Sequence, residues 1–480
     1  MSDDLISQID AIFKPRSIAI TGASDKKARL GNMLLYNFID IGYEGKLYPI
    51  NPDEETVMGL KSYPSLKDIE GPVDLLVVSL HPDKVPQVIE EAVEKDVKGA
   101  IIFTSGYREQ GEEGRRKEQE LVSIARKGDL RLIGPNCMGL YCPSTKLSFI
   151  PGLSKESGPV AFISQSGSLA MYAAFAGKIR GVAFSKMISL GNACDLDTND
   201  FLEYLGNDPQ TKVIACYLEG VEDGQRFLRL AKQISKKKPI ILWKVGSTTG
   251  GAKAAGSHTG SICGKREIWD AVFKQAGLIR VENVYELFGS ITALINPYLP
   301  KGNRVAIVSA PGGPAVSAAD VCEQEGLKLA KLSEDTENKL TEIVPNLGTS
   351  TSNPVDLGFT VASDNTLYSR TTVIAGQDEN VDMVLVYNFR MDKDLAETLI
   401  ESKDKIRKPI AIITNIEQIQ EREIGERFKS LDAEELPKIL KRLYESGISI
   451  HLTEQDAAKT LLSLLKYREF LDKNNREVES

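Results

Sequence analysis

Short β-branched runs alternate with longer amphipathic runs along a chain of 480 residues. Few folds accept that pattern. Parallel strands need a crossover of a dozen or more residues between them, and the helices that supply it cover both faces of the sheet. A first series of strands is expected at 17–21, 46–51, 73–80, 99–104 and 130–133, with helices such as 83–95 and 111–126 between them. The Pro/Ser/Gly-rich stretch 142–159 precedes a second series at 160–164, 184–189, 213–218 and 240–245. The run Asn296-Pro-Tyr-Leu-Pro-Lys-Gly-Asn303 reads as a linker from its two prolines and its glycine. A third series follows at 304–309, 383–388 and 410–414, then two helical runs at 433–446 and 454–471. The length exceeds one ordinary core. The expectation is therefore α/β, with three consecutive doubly wound domains at 1–133, 134–298 and 299–480.

Composition narrows the function. With 42% hydrophobic and 26% charged residues the chain has enough apolar surface to fold. A formal net charge of -8 argues against nucleic acid as the main partner, while leaving room for local basic sites that take small anions. Neither a basic-then-apolar leader nor an apolar stretch of membrane-spanning length is present, so no membrane association is expected. The six cysteines are scattered, with no Cys-x-x-Cys pair. They read as reduced thiols of a cytoplasmic protein, and no metal site is expected.

Chemistry concentrates in one run, Gly246-Ser-Thr-Thr-Gly-Gly-Ala-Lys-Ala-Ala-Gly-Ser-His-Thr-Gly-Ser-Ile-Cys-Gly264. His258 is one of only three histidines, and its neighbours are almost all small. Small residues let backbone approach a ligand and let a loop change conformation, and imidazole is the side chain best suited to act as nucleophile or base near neutral pH. The run is expected to be a mobile tether for a reactive histidine. Of the other two, His81 follows a strand in the first domain's crevice, and His451 reads as structural.

Two turns suit an anion. Val160-Ala-Phe-Ile-Ser-Gln-Ser-Gly-Ser-Leu-Ala170 resembles Val305-Ala-Ile-Val-Ser-Ala-Pro-Gly-Gly-Pro-Ala315, each a buried strand followed by a glycine turn and an Ala-rich helix start. Such a turn aims free N–H groups and the positive end of a helix at one spot. Gln165, Ser166, Gly167 and Ser168, with Gly312, Gly313, Pro314 and Ala315, are the candidate phosphate ligands, expected to share one site. A serine-hydrolase elbow is excluded at Ser166, because Ser164 and Ser168 stand where that motif needs glycine. In the first turn, Thr21 to Gly31, only Gly22 and the distant Gly31 are present, so the dinucleotide fingerprint fails. A nucleotide-like ligand on Gly22, Ser24 and the basic residues Lys26, Lys27 and Arg29, and a plain turn beside solvated lysines, both stay open. So do two readings of Glu219, as the acid that orients a histidine or as a surface cap at a strand end.

In order along the chain, the Thr21–Gly31 turn, Gly134-Pro-Asn-Cys-Met-Gly139, Ile163-Ser-Gln-Ser-Gly-Ser168, Tyr217-Leu-Glu-Gly220 and Gly256-Ser-His-Thr-Gly260 resemble the NDP-forming acyl-CoA synthetases, the succinyl-CoA synthetase superfamily. The third series, with Asn353-Pro-Val-Asp-Leu-Gly358, is similar to that family's remaining ligase domain. The domain order resembles that of the alpha subunits of ADP-forming acetate–CoA ligases. The resemblance implies a Rossmann-like CoA-binding domain followed by two flavodoxin-like ligase domains. It implies conversion of acyl-CoA, ADP and phosphate to acid, ATP and CoA, through an acyl phosphate and a phosphohistidine at His258 stabilised by Glu219. CoA is expected at Thr21, Gly22, Ala23, Ser24, Lys27, Arg29, His81, Pro82, Thr104, Ser105, Gly106 and Asn136. Two positions depart from the family: Asp53-Glu54 replaces a lysine of succinyl-type relatives, and Ser105 replaces an acid. Nothing resembles an ATP-grasp domain. ADP/ATP and magnesium are therefore expected on a separate ATP-grasp beta subunit of an alpha-beta hetero-oligomer, with acetate or a related acid, acetyl-CoA and phosphate as the small partners. A CoA-sensing or regulatory protein of the same domain family is the alternative.

Overall fold

All five residues of β1 (Ser17–Thr21) are buried, as a parallel strand covered on both faces requires. In the computed structural model, which describes residues 3–259, 263–295, 298–310, 312–346, 348–358, 364, 366–388, 393–414 and 435–479, β1 is the pivot of the first sheet. β2 (Lys46–Ile50) pairs on one side of it and β5 (Leu75–Val78) on the other. β6 (Gly99–Ile102) and β7 (Arg131–Ile133) extend the sheet to the order β2-β1-β5-β6-β7, parallel throughout. A small antiparallel pair, β3 (Thr56–Val57) and β4 (Leu60–Lys61), stands apart. Because the chain grows first to one side of β1 and then to the other, a crevice opens at the carboxyl ends of β1 and β5.

The second sheet repeats the device. β8 (Leu140–Cys142) and β9 (Leu147–Ser148) precede β10 (Val160–Ser164), β11 (Phe184–Ser189), β12 (Val213–Leu218) and β13 (Ile240–Lys244). They run in the order β13-β12-β10-β11-β8-β9. The first four are parallel and the last two are antiparallel additions at the edge. The reversal of growth falls between β10 and β12. β8 and β9 are not readable in the sequence, since strands of two or three residues carry no period. Both sheets belong to one compact unit, residues 1–178 with 183–278.

A second unit comprises residues 179–182 with 279–480. After β14 (Ile279–Val281) come β15 (Arg304–Ala310), β16 (Lys328–Leu329), β17 (Val355–Asp356), β18 (Met383–Asn388), β19 (Ile410–Ile413) and β20 (Ser449–His451). The order is β16-β15-β18-β19-β20, parallel, with β17 also on β15. The helix Val284–Ile295, grouped with the middle domain in the sequence reading, falls in this unit. It buries Val284 and most residues from Glu286 to Ala293, and Lys459 on the last helix donates to Glu286 Oε1 at 3.0 Å. A helix apolar on nearly every face needs cover on every face, which the C-terminal elements provide. His451 is fully buried beside Ser449 Oγ at 2.9 Å, and burial pushes its imidazole down to about 3, so it stays neutral. Residues 296–297 of the expected linker and 433–434 of the expected helix lie outside the described residues.

The first helix, Asp3–Phe13, is anchored on the helix Thr198–Asn207. The Phe13 and Tyr204 rings stack with centroids 5.5 Å apart, and the Tyr204 hydroxyl donates to Asp10 Oδ1 at 2.9 Å. Next to them the buried Lys186 ammonium donates to Asp208 Oδ2 at 2.8 Å, and the Thr211 hydroxyl donates to the same oxygen at 2.7 Å. Burial pushes the Asp208 carboxyl up, but these bonds outweigh it and hold the group below its ordinary range. Replacing only Lys186 by Met strands that carboxylate, and a loss of about 3–5 kcal/mol is expected. In urea unfolding, the double replacement Lys186→Met/Asp208→Leu should recover most of that loss.

Candidate active site

Four expected segments meet at the carboxyl edge of the first sheet, one after each of β1, β5, β6 and β7. The Thr21 hydroxyl is used internally, donating to Val77 O at 3.2 Å and accepting from Ser79 N at 3.3 Å. What this turn offers a ligand is backbone. Asn51 and Asn32 side chains fix it by donating to Ala23 O and Ser24 O, each at 2.8 Å. The distant Gly31 also has a role here: a Cβ on it would lie 2.1 Å from Gly22 O, so only glycine lets the following helix press against the turn. Ser24 donates to Glu54 Oε1 at 3.2 Å, which gives the departure from the family's lysine a local partner. Lys27 and Arg29 are exposed.

His81 is exposed with Nδ1 3.3 Å from Asp83 Oδ2, and Pro82 lies against Gly106. The Thr104 hydroxyl donates to Leu80 O at 2.8 Å, and Asn136 N donates to Thr104 O at 3.0 Å. Ser105 is exposed. The edge therefore gathers Thr21 to Ser24, His81, Pro82, Thr104 to Gly106 and Asn136. Sequence reasoning missed Glu109 and Asn192 here. Glu109 Oε1 accepts from Gly106 N at 2.5 Å and Tyr107 N at 3.1 Å, while its other oxygen accepts from Asn192 at 2.7 Å. Burial raises this carboxyl, but those donors prevail and lower it below its ordinary range.

The Gly134–Gly139 segment joins this edge to the second sheet. Asn192 N donates to Pro135 O at 2.9 Å, and Met138 N donates to Ser189 Oγ at 2.9 Å. There the turn after β10 leads into the helix Gly167–Ile179. The Ser166 and Ser168 hydroxyls are 3.2 Å apart at its start, with Ser168 exposed. Gln165 reaches across the switch point. Its carbonyl accepts from Glu219 N at 2.5 Å and Gly220 N at 3.0 Å, and its amide nitrogen donates to Gly220 O at 2.7 Å. The acid Glu219, 4% exposed, is thus fixed beside the helix N-terminus at the end of β12, not solvated on a surface turn.

The segment after β13 is helical where the sequence suggested a loop. Residues Thr249–Thr259, including the backbone of His258, form a helix. Thr248 starts it, accepting Gly251 N on its hydroxyl at 3.1 Å and Ala252 N on its carbonyl at 2.7 Å, and the run 252–255 contains good helix formers. Glycines at 250, 251 and 256 each cost such a helix about 1 kcal/mol, so its own sequence holds it weakly. The His258 side chain and residues 260–262 lie outside the described residues. Sequence reasoning also missed Lys244, the polar last residue of β13, whose ammonium donates to Glu219 O at 2.7 Å.

In the second unit the Gly312–Ala315 turn starts the helix Gly312–Glu325. As at its counterpart, an acid stands beside the helix N-terminus: a Cβ on Gly312 would lie 2.4 Å from Asp356 Oδ2. Asn353 braces β15 by accepting Ile307 N at 2.9 Å and donating to Val305 O at 2.8 Å. Among the described residues, no group of three or more His, Cys, Asp or Glu side chains could hold a metal ion, and no helix is long and apolar enough to cross a membrane.

Parallel sheets with anion-suited turns at their switch points define an α/β protein of the ligand-at-the-strand-ends class. Residues 16–143 match the family model described as CoA binding domain, and 157–294 match the succinyl-CoA ligase like flavodoxin domain. The chain is 43% identical over 378 residues to the acetate–CoA ligase [ADP-forming] II subunit alpha of Pyrococcus furiosus, covering 78% of this chain and 81% of that protein. It is 36% identical to subunit alpha of that organism's enzyme I, covering 98% and 100%. An acetyl-coenzyme A synthetase 1 of Ca. Korarchaeum cryptofilum, solved in complex with phosphate and ADP, superposes with a TM-score of 0.82 at 31% identity, covering 97% of this chain and 98% of that one. This chain belongs to the family of ADP-forming acetate–CoA ligase alpha subunits. It spans about half the length, 54%, of the acetate–CoA ligase [ADP-forming] I of Archaeoglobus fulgidus.

Gln165→Ala removes the one acceptor oxygen that takes both Glu219 N and Gly220 N, and the donor to Gly220 O, from the Glu219–Gly220 turn. Each buried group left unpaired is expected to cost roughly 1–3 kcal/mol. Hydrogen exchange at the Glu219 and Gly220 amides should accelerate accordingly, with the amides of β1 unchanged.

Proposed function

We propose that the chain is the acyl- and phosphoryl-transferring alpha subunit of an ADP-forming acetyl-CoA synthetase. The observation that carries this reading is the convergence at the second sheet: adjacent strands β10, β12 and β13 end in Gln165–Ser168, in Glu219 and in the segment bearing His258. Family membership, and an acid held by Gln165 next to a helix N-terminus, favour the catalytic reading over a sensor, which needs neither His258 nor Glu219.

In this reading the first sheet's edge, with Thr21 to Ser24, Lys27, Arg29, His81, Pro82, Thr104 to Gly106 and Asn136, receives acyl-CoA, its phosphates near the basic residues and backbone N–H groups. An oxygen of inorganic phosphate attacks the thioester carbonyl. The C–S bond breaks, CoA leaves as the thiol with the proton that phosphate gives up, and an acyl phosphate remains. His258 attacks its phosphorus, the P–O bond to the acyl group breaks, and the carboxylate departs. Splitting one transfer into two lowers each barrier. The N–H groups at the start of the helix Gly167–Ile179 stabilise charge on the phosphoryl oxygens, and Glu219 stabilises the cationic imidazole. Gly312, Gly313, Pro314 and Ala315 offer a second turn of the same type, with Asp356 as its neighbouring acid. ADP and magnesium are assigned to an ATP-grasp beta subunit, which takes the phosphoryl group from His258. All six cysteines are free thiols, which suits a reducing cytoplasm.

Incubation with acetyl phosphate, or with acetyl-CoA and phosphate, should leave an acid-labile, alkali-stable phosphate on His258 by mass spectrometry. His258→Asn should abolish it, and Glu219→Gln should slow its formation roughly 100-fold, with CoA binding retained in both. Phosphate on another residue, or none, overturns the catalytic reading. ATP formation is expected only after the ATP-grasp subunit is added.

A further inference from the structure

Lys244 stands where two parts of the proposed site must be held in register. Its ammonium, the last side chain of β13, donates to Glu219 O at 2.7 Å and to Val245 O at 2.5 Å. It lies 5.0 Å from the centre of the Trp269 ring. The Trp269 indole N–H donates to Cys263 O at 2.8 Å. The two ends of the helical segment approach there: a Cβ on Gly246 would lie 2.5 Å from Cys263 Sγ, and one on Gly264 would lie 3.0 Å from Trp269 Nε1. Both glycines have positive φ, +74° and +75°, so the chain turns into and out of the segment at positions that favour glycine. One cation therefore ties the Glu219 turn to the first end of the segment directly and, through Trp269, to the second.

We propose that Lys244 is a positioning residue, which sets the Glu219 turn against the segment that carries His258 by clamping both ends of that segment to β12 and β13. The proposal rests on the reading of His258 as phosphoryl acceptor. The charge matters as well as the bonds, because a neutral amine interacts more weakly with carbonyl oxygens and with a ring face. Burial pushes the Lys244 ammonium down to about 8, against the opposing pull of Cys263 and Glu219, the titratable groups that act on it. Burial in turn raises the Cys263 thiol above its ordinary value. Between about 8 and the ordinary lysine value the folded chain releases a proton that the unfolded chain keeps, so Lys244's contribution to stability rises with pH across that window. Positioning is lost across the same window. Opposite signs for stability and rate are what a purely structural lysine does not give.

The test measures single-turnover phosphorylation of His258 by acetyl phosphate against pH, in the wild type and in Lys244→Met and Lys244→Arg. A misplacement on the order of 1 Å costs about 100-fold in rate, and that loss is expected for Lys244→Met below pH 8, in kcat with little change in KM. The wild-type rate should fall above pH about 8, and this limb should vanish in both variants. Lys244→Arg, charged throughout, should recover part of the rate. Hydrogen exchange of the 246–264 backbone should accelerate in Lys244→Met. A Lys244→Met rate equal to wild type, or an alkaline limb that survives in it, overturns the proposal. If Lys244→Met fails to fold, the wild-type and Lys244→Arg profiles decide it alone. If the wild type takes up no phosphate on His258, the reading of the reaction fails, and the exchange measurement still decides whether Lys244 clamps the segment.

Discussion

The side chain of Gln165 bridges the place where the second sheet changes direction, and the candidate chemistry depends on that bridge. A parallel sheet that grows to both sides of a central strand leaves the ends of the two flanking connections unpaired by backbone. In this chain one amide side chain supplies the missing partners, accepting from Glu219 N and Gly220 N and donating to Gly220 O. The backbone of the acid is therefore held in place by Gln165. The same turn begins the helix whose N-terminus suits a phosphoryl group.

The two edges of the first unit are coupled through Gly134–Gly139 and Asn192. Asn136 N binds Thr104 O on the edge of the first sheet, and Met138 N binds Ser189 Oγ at the end of β11. Asn192 lies between them, bonded to Pro135 O and to Glu109. In the proposed reading, a thioester delivered at one edge and a phosphate held at the other would share a hydrogen-bonded floor. This explains in physical terms why the Gly-Pro-Asn run sits between the two sheets and not inside either.

Strand positions were widely legible. β1, β10, β11, β12 and β18 have the bounds expected from the sequence, because parallel strands covered on both faces read as short, mostly apolar runs between turn signals. The edge pair β8 and β9 was not legible, nor was the packing of the helix Val284–Ile295 with the C-terminal elements, since neither is encoded in a local period. Around the site, Gly22, Gln165 and Glu219 could be picked out as residues at strand ends. Glu109, Asn192 and Lys244 could not, as a single polar residue in a loop or at a strand terminus has no signature until its partners arrive from elsewhere in the chain. The segment before His258 shows the reverse error. Its small residues suggested a loop, and Thr248 with the Ala-Lys-Ala-Ala run made a helix of it.

By itself the sequence determined the α/β class, the turns that end the strands, and the one histidine set among small residues. These follow from hydrophobic period and from the conformational demands of glycine, which act over a few neighbouring residues. Only the tertiary structure decided which strand ends become neighbours, and so that Gln165 meets Glu219 and that Lys244 meets both Glu219 and Trp269. Strand order comes from the packing of helices across whole sheets, so contacts between residues 54 or more positions apart, such as Gln165 with Glu219, leave no mark on local pattern.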